Sequence, residues 1–308
     1  MKTLEGMLQE AAERRKKLVS VTNAVRLVNG LGDGAADLFI DRYNKHFQVQ
    51  VLNNRWQKQL PEIRRLLESA MPVEYLIVKS RQGLDIKHEV LTGHESRTIV
   101  EEYGIKFEVN LNDGLNCGLF LDMRHNRRIL GQACKDKKVL NAFAYTCSFG
   151  VHARMGAAKE VVNIDISRKM LERGENNYRS NGLSIAPGEF IKADAVSFLK
   201  RAFKKGNAFD VVILDPPSFA RYEGKSFQVR RDLPKAVALA AAVLNPGGWL
   251  WVSTNYSEIS HADLERFLSH GLNGRRVKSI QRIGQDEDFR GSNSFKESYL
   301  VGLWVKLL

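Results

Sequence analysis

Hydrophobic positions near the amino end recur at helical spacing: Leu4, Met7, Leu8 and Ala11 share one face of a helix expected over residues 3–18. From Val25 to Leu52 the period becomes that of strands. Val25-Arg26-Leu27-Val28, Asp37-Leu38-Phe39-Ile40 and Phe47-Gln48-Val49-Gln50-Val51 are separated by Gly30 to Gly34 and by Tyr43-Asn44-Lys45, which carry turn chemistry. A helix over 56–69 and a strand over 75–79 follow, and strands at 97–102 and 106–111 flank a turn at Tyr103-Gly104. Residues 1–109 are thus expected to form a helix and a small α+β domain.

Beyond residue 110, strand and helix alternate regularly. Seven strands are expected, at 138–142, 160–164, 189–192, 209–214, 249–253, 277–282 and 299–305, with helices between them, notably 168–180 and 231–244. Runs such as Val211-Val212-Ile213-Leu214 lack polar alternation, which implies cover on both faces. The predicted fold class is α/β, a doubly wound Rossmann-like sheet of seven strands over 110–308, beside the smaller N-terminal α+β domain. No internal repeat or low-complexity segment is visible.

Composition agrees with two globular domains: 308 residues, of which 44% are hydrophobic. The formal net charge of +12 attracts polyanions, nucleic acid first among them. Arg14 to Lys17 at the end of the first helix serve either the helix dipole or RNA. Cys117, Cys134 and Cys147 are too few and too scattered for a disulfide framework, and the seven histidines show no metal-ligand spacing, so no metal is expected. No apolar run approaches the ~18 residues of a membrane span, and the start of the chain lacks a signal-peptide core. A cytoplasmic protein is expected, with its oligomeric state open.

In a doubly wound sheet, ligands bind beyond the carboxyl ends of the strands. The first of these strands ends in Asn141-Ala142-Phe143-Ala144-Tyr145-Thr146-Cys147-Ser148, the second in Asp165 shortly before Ser167, the third in Asp194-Ala195 and the fourth in Asp215-Pro216-Pro217-Ser218-Phe219. One such aspartate is readily an N-cap; three in succession suggest a ligand. Asp165 is placed to accept ribose hydroxyls, Asp194 to lie near an adenine amino group and Asp215 to sit beside the reactive end. The first turn has neither G-x-G-x-x-G nor a P-loop, which disfavours nicotinamide dinucleotides and nucleotide phosphates. An adenosine cofactor without phosphates fits.

The segment Asp113-Gly114-Leu115-Asn116-Cys117-Gly118-Leu119-Phe120-Leu121-Asp122-Met123-Arg124-His125-Asn126-Arg127-Arg128, the 141–146 turn and Asp215-Pro216-Pro217-Ser218-Phe219 together resemble the bacterial 23S rRNA methyltransferase family, over residues 25–305. That family includes cytosine-C5 enzymes and the guanine-N7 domain of a fused enzyme. The resemblance implies bound S-adenosylmethionine, touched by Asp122, Arg124, Asn141, Phe143, Tyr145, Thr146, Asp165, Ser167, Asp194, Ala195 and Asp215. Cys147 and Ser148 depart from it, standing where relatives commonly carry glycine.

The acceptor atom decides what else is needed. Cytosine C5 becomes nucleophilic only after a thiolate adds to C6. Neither the fourth strand end, Asp215-Pro216-Pro217-Ser218, nor the fifth, Ser253-Thr254-Asn255, carries a thiol. A nitrogen acceptor is therefore expected, guanine N7 first, because Ser253-Thr254-Asn255 is closer to that branch; an exocyclic amine is the alternative, oriented by Asp215 and the Pro216 carbonyl. Asp215, Pro216, Phe219 and Asn255 form the expected catalytic set. Arg221, Tyr222, Lys225, Arg230 and Arg231 are the expected RNA contacts, on a loop past the active site. The acidic stretch 284–290 is expected to be a solvated turn. Methylation of a protein or small molecule, or RNA binding without catalysis, are the competing functions.

Overall fold

The structure is a computed structural model, and it describes residues 3–82, 85–114, 116–222, 225–272, 274–289, 291 and 300–308, with no side-chain description at 81–86 and 220–225. Leu115 of the family-like segment, Arg290 of the acidic stretch and Tyr299 of the expected last strand lie outside the described residues, as do the side chains of Arg221, Tyr222 and Lys225. The chain forms two compact units, Met1–Arg124 with Asp286–Glu297, and His125–Gln285 with Ser298–Leu308. The expected boundary at 109/110 falls inside the first of them.

The first unit holds α1 (Leu4–Arg15), β1 (Ala24–Asn29), β2 (Leu38–Tyr43), β3 (His46–Val51), α2 (Asn54–Lys58), α3 (Leu60–Ala70), β4 (Tyr75–Gln82), β5 (Asp85–Thr92), β6 (Arg97–Glu102) and β7 (Ile105–Asn110). Strands β1 to β5 make one sheet in that order, β3 and β4 running parallel because the helical segment between them carries the chain back. Strands β6 and β7 form a separate hairpin. Val25, Leu38, Phe47, Val49, Trp56, Ile63 and Leu76 are among its core residues. The single helix expected over 56–69 is two, since Pro61 at the start of α3 has no N–H to continue the preceding turn. Strand β5 escaped the hydrophobic pattern. Lys87, His88, Glu89 and Val90 are exposed on an edge strand, where charge blunts unwanted pairing.

The acidic stretch near the carboxyl end is not a solvated turn. Asp288 is 2% exposed; it accepts from the Arg26 backbone N–H at 2.8 Å and pairs with the buried Arg124 guanidinium at 3.0 Å. Arg124 also reaches Asp286 at 3.0 Å and donates to the Ala24 carbonyl. Burial pushes the Asp288 carboxyl up from its ordinary value despite the arginine beside it. Such a pair is costly to bury and more costly to break. Arg15, buried at the end of α1, is bidentate on Asp33, which Arg14 also bonds. Those two arginines therefore serve the fold of this unit.

The second unit contains α4 (Arg124–Gln132, whose first residue belongs to the first unit), β8 (Lys138–Ala142), α5 (Ser148–Met155), β9 (Glu160–Asp165), α6 (Arg168–Ser180), β10 (Phe190–Lys192), α7 (Ala195–Lys204), β11 (Phe209–Leu214), β12 (Phe219–Tyr222), β13 (Lys225–Gln228), α8 (Val229–Ala242), β14 (Leu244–Thr254), α9 (His261–Leu272), β15 (Val277–Gly284) and β16 (Val301–Leu307). Its sheet has seven strands in the order β10-β9-β8-β11-β14-β16-β15, with β16 antiparallel to both neighbours. The α/β fold read from the pattern is therefore present. Leu140, Ile164, Val212, Leu214 and Leu250 pack in one cluster with Leu233, Val237 and Leu268 of the helices, so the apolar strands are buried by helix cover. The expected loop past Phe219 is instead the hairpin β12–β13, leading directly into α8.

Candidate active site

The register of the seven-stranded sheet sets four strand ends side by side. Ala142 of β8 pairs with Ile164 of β9 and Leu214 of β11, and Leu214 pairs with Val252 of β14. Phe143, Asp165, Asp215 and Ser253 therefore lie along one rim, where strand order reverses beside β8.

The loop after β8 is strained and held. Phe143 (φ 62°), Tyr145 (φ 50°) and Cys147 (φ 60°) are all left-handed, which costs on the order of 1–2 kcal/mol for each non-glycine residue. Such backbone persists only when its surroundings over-determine it. Here the Ala144 N–H donates to the Ile164 carbonyl (2.8 Å), Tyr145 N–H to Asp165 Oδ2 (2.8 Å), Cys147 N–H to the Ala144 carbonyl (2.7 Å) and Asn177 Nδ2 to the Thr146 carbonyl (3.0 Å). Cys147 thus takes a glycine-like conformation. Its buried sulfur lies where a side chain on Gly174 of α6 would have to go, 2.4 Å from that position's ideal Cβ. Gly174 and Asn163 were both missed in the sequence: Gly174 makes room for Cys147, and Gly150 of α5 comes so near the Asn163 amide that no Cβ fits there.

The expected ligand residues divide by what their side chains do. Asp165 holds the loop through Oδ2 and accepts from the Ser167 N–H through Oδ1 at 2.8 Å. Burial raises its pKa above the ordinary value, and the N–H groups of Ser167, Tyr145 and Ile166 oppose that shift. Ser167 caps α6 by accepting from Met170 N–H, and Asp194 caps α7 by accepting from Ser197 N–H at 2.8 Å. Ala195, the first residue of α7, is buried. Asn141 is 2% exposed and donates to Asn163 Oδ1 at 2.9 Å, tying β8 to β9. Its side-chain amide thus serves the sheet at the first strand end. Asp122 and Arg124 lie in the first unit. The Arg124 guanidinium is paired with Asp286 and Asp288, and the carbonyl of buried Asp122 accepts from Asp286 N–H at 2.9 Å.

At the other end of the rim, Asp215 Oδ1 accepts from Ser253 Oγ at 2.7 Å, and Ser253 accepts from Trp251 Nε1 at 2.9 Å. The sequence placed Ser253 at the fifth strand end without giving it a role; a hydroxyl closing an apolar strand at the rim is the signal for one. Pro216 follows, buried. Phe219 is 48% exposed at the start of β12, and Ser218 Oγ lies 3.4 Å from Asn255 Oδ1, so the loops after β11 and β14 meet. The hairpin is bound to the loop after β8 by Phe143 against Phe227, ring centroids 5.1 Å apart. Arg230 donates to the Glu258 carbonyl, and Arg231 pairs with Asp232 at 2.8 Å; both guanidiniums stay exposed. Among the described residues no cluster of His, Cys, Asp or Glu suits a metal ion, and no helix is long and apolar enough to cross a membrane.

A rim with ribose-type carboxylates and no phosphate cradle can be set against known proteins. A family model for S-adenosylmethionine-dependent methyltransferases matches residues 43–279. The chain belongs to this family. Ribosomal RNA large subunit methyltransferase I of Tolumonas auensis is 31% identical to this methyltransferase over 315 residues, covering 98% of the chain and 79% of the relative. The enzyme of the same name from Photobacterium profundum is 31% identical, covering 90% and 72%. SMU.776, a candidate methyltransferase whose crystal structure holds SAH, superposes with a TM-score of 0.90 at 26% identity, covering 98% of this chain and 80% of that one.

The cofactor of this methyltransferase is S-adenosylmethionine. The residues present fit it: Asp165 and Asp194 offer acceptors suited to ribose hydroxyls and an adenine amine, and the held loop between them needs no phosphate to complete it. When bound, the cofactor supplies an electrophilic methyl on a sulfonium. Asp165→Ala is expected to weaken binding of S-adenosylmethionine by about 1–3 kcal/mol, measured by calorimetry on cofactor-free protein; unchanged affinity would exclude Asp165 as the ribose acceptor. A proton on Asp165 competes with the same hydrogen bonds. Its raised pKa contributes stability to the apo-protein that is present below the unfolded value of 3.8 and lost as pH rises through the folded pKa. Cofactor favours the anion, so affinity is expected to fall as pH drops through that folded pKa, and Asp165→Asn is expected to flatten the profile.

Proposed function

We propose that this methyltransferase modifies a base of large-subunit ribosomal RNA. The observation that carries the proposal is its likeness, over nearly the whole chain, to enzymes named for large-subunit ribosomal RNA. The +12 charge suits such a substrate. Guanine N7, the first expectation, draws no support from those relatives. The alternatives from the sequence, an exocyclic amine and cytosine C5, therefore take its place.

They differ in the nucleophile they require. Addition to cytosine C6 needs a thiolate at the rim. Cys117, Cys134 and Cys147 are all buried, and burial pushes every thiol up, that of Cys134 to about 12. An exocyclic amine instead needs hydrogen-bond acceptors, which Asp215 and the Pro216 carbonyl supply, with exposed Phe219 beside them to stack on an extruded base. We favour the amine on this ground. Cytosine C5 is the second reading, since the family it resembles includes cytosine-C5 enzymes. Phe143, Asp165, Asp194 and the 143–147 loop would hold the donor while Asp215 and Asn255 orient the acceptor. Arg221, Lys225, Arg230 and Arg231 would hold flanking phosphates and Tyr222 would stack; charge reversal of Arg230 and Arg231 tests this through RNA affinity alone.

The deciding experiment transfers labelled methyl to protein-free large-subunit RNA and identifies the labelled nucleoside. An exocyclic N-methyl base is the expected product; label on protein, with none on RNA, would overturn the proposal. Replacing all three cysteines with alanine is expected to keep turnover within about threefold of wild type, an effect below ~1 kcal/mol. Abolished turnover, together with an adduct trapped on 5-fluorocytosine RNA, would establish the cytosine-C5 reading instead.

A further inference from the structure

The opposite rim of the same sheet, where the parallel strands begin, carries five lysines from four separate segments. Lys137 and Lys138 precede and open β8, Lys159 precedes β9, Lys278 lies in β15 and Lys306 near the end of β16. Register brings them together: Val139, Val161, Val211 and Trp249 are paired across β9, β8, β11 and β14, Trp249 pairs with Lys306, and Ser279 pairs with Lys306 from the other side. Lys306 lies in the repulsive field of Lys137 and Lys278.

The carboxylates nearby do not cancel this charge. Glu160 pairs with Lys138 at 3.1 Å. Asp210 accepts from the Lys138 backbone N–H at 2.8 Å and from Asn245 Nδ2 at 2.9 Å, within reach of the fields of Lys137, Lys159 and Lys306 but in salt-bridge contact with none of them. Asp136, exposed, neighbours Lys135 in the chain. No ion pair of Lys137, Lys159, Lys278 or Lys306 occurs among the described residues. Repulsion alone would scatter such side chains into water. Lys306 instead stays with its ammonium 4.6 Å from the centre of the Trp249 ring, which is itself stacked on Trp304 at 4.6 Å and 13°. A cation–π contact of this kind fixes the head group at the rim. With Trp304 and Lys306 both against the Trp249 ring, the groups this surface offers are ammoniums, which read negative charge rather than sequence.

We propose that this rim is a second RNA-contact surface, holding sugar-phosphate backbone of the substrate RNA away from the target base. The proposal rests on the ribosomal-RNA reading above. The two rims are separated by the length of a strand, about 15–20 Å for five or six residues. One short single-stranded segment at the active rim does not need the second surface; a folded RNA that reaches around the sheet does. The lysines therefore contribute to recognition of RNA structure, and the opposite rim to chemistry.

The test compares the full chain with Lys137→Glu/Lys278→Glu on two substrates: protein-free large-subunit RNA and a short oligonucleotide carrying the methylated site. On the long RNA, Kd is expected to rise at least about tenfold and the slope of log Kd against log[KCl] to shrink by about 2, near 1 per lost phosphate contact. KM for the long RNA rises with it, while kcat, S-adenosylmethionine affinity and KM for the short oligonucleotide stay at wild-type values. Lys137→Gln/Lys278→Gln is expected to give a smaller effect of the same kind. Wild-type Kd and salt slope in a folded double variant would overturn the second surface. So would equal loss on both substrates, because the lysines would then act through the active rim or the fold. If wild-type protein methylates no ribosomal RNA at all, the functional reading fails, independently of either variant.

Discussion

Asp215→Ala is expected to lower kcat by about 10²–10³-fold, the loss typical when one preorganised polar partner of a reacting group is removed. Asp215 leaves β11 between the ends of β8 and β14, and its Oδ1 is fixed by Ser253 Oγ at 2.7 Å, itself held by Trp251 Nε1. A carboxylate anchored in this way is aimed before the substrate arrives, so its contribution falls on the reacting geometry rather than on affinity. RNA affinity and S-adenosylmethionine affinity are accordingly expected near wild type. The buried Ser253 hydroxyl would lose its acceptor, costing about 1–3 kcal/mol of stability, so thermal unfolding has to be followed in parallel. Asp215→Asn keeps an acceptor oxygen and is expected to retain more turnover than alanine. Wild-type kcat in a folded Asp215→Ala protein would remove Asp215 from the reaction.

Gly174→Ala is expected to destabilise the second unit by about 1–3 kcal/mol, the usual cost of overpacking, and to weaken S-adenosylmethionine binding at least about tenfold by shifting the 143–147 loop. The new Cβ would stand 2.4 Å from Cys147 Sγ, 2.9 Å from its Cβ and 3.2 Å from the Phe190 ring. Cys147 has little freedom to move away, since it is fully buried at φ 60° with its N–H bonded to Ala144. Combining the change with Cys147→Gly removes both nearest atoms and supplies the residue that takes positive φ without steric cost. The double variant is therefore expected to recover most of the lost stability and cofactor affinity, and the coupling between the two positions is read from a double-mutant cycle. Additive losses would show that the loop does not depend on this contact.

Much of the fold was legible because burial on both faces leaves an unambiguous pattern. Val211 to Leu214 are apolar without interruption, and a helix was expected over 168–180, where α6 lies. Elements with little apolar periodicity were not. Strand β5 is held by pairing to β4 with mostly charged side chains facing water, and the β12–β13 hairpin is four residues a strand. The seven-residue acidic stretch looked solvated for the same reason: composition shows charge, not the arginine that will meet it. Asp288 and Arg124 are far apart in the chain and are buried together only in the fold.

The order of the strands along the chain, and with it the aspartates that close three of them, can be read from residue order alone. So can the absence of a thiol at the two strand ends where cytosine chemistry needs one. Strand ends are local, and a residue that follows an apolar run must leave the sheet wherever the run is placed. What each of those side chains does became visible in the fold: Asn141 bridges β8 to β9, Asp194 caps a helix, Asp165 pins a left-handed loop, and Ser253 anchors Asp215. These partners are set by register and by the approach of helices, which depend on packing across the whole sheet. The same register gathers lysines from four segments on the far rim, a cluster that no run of sequence displays.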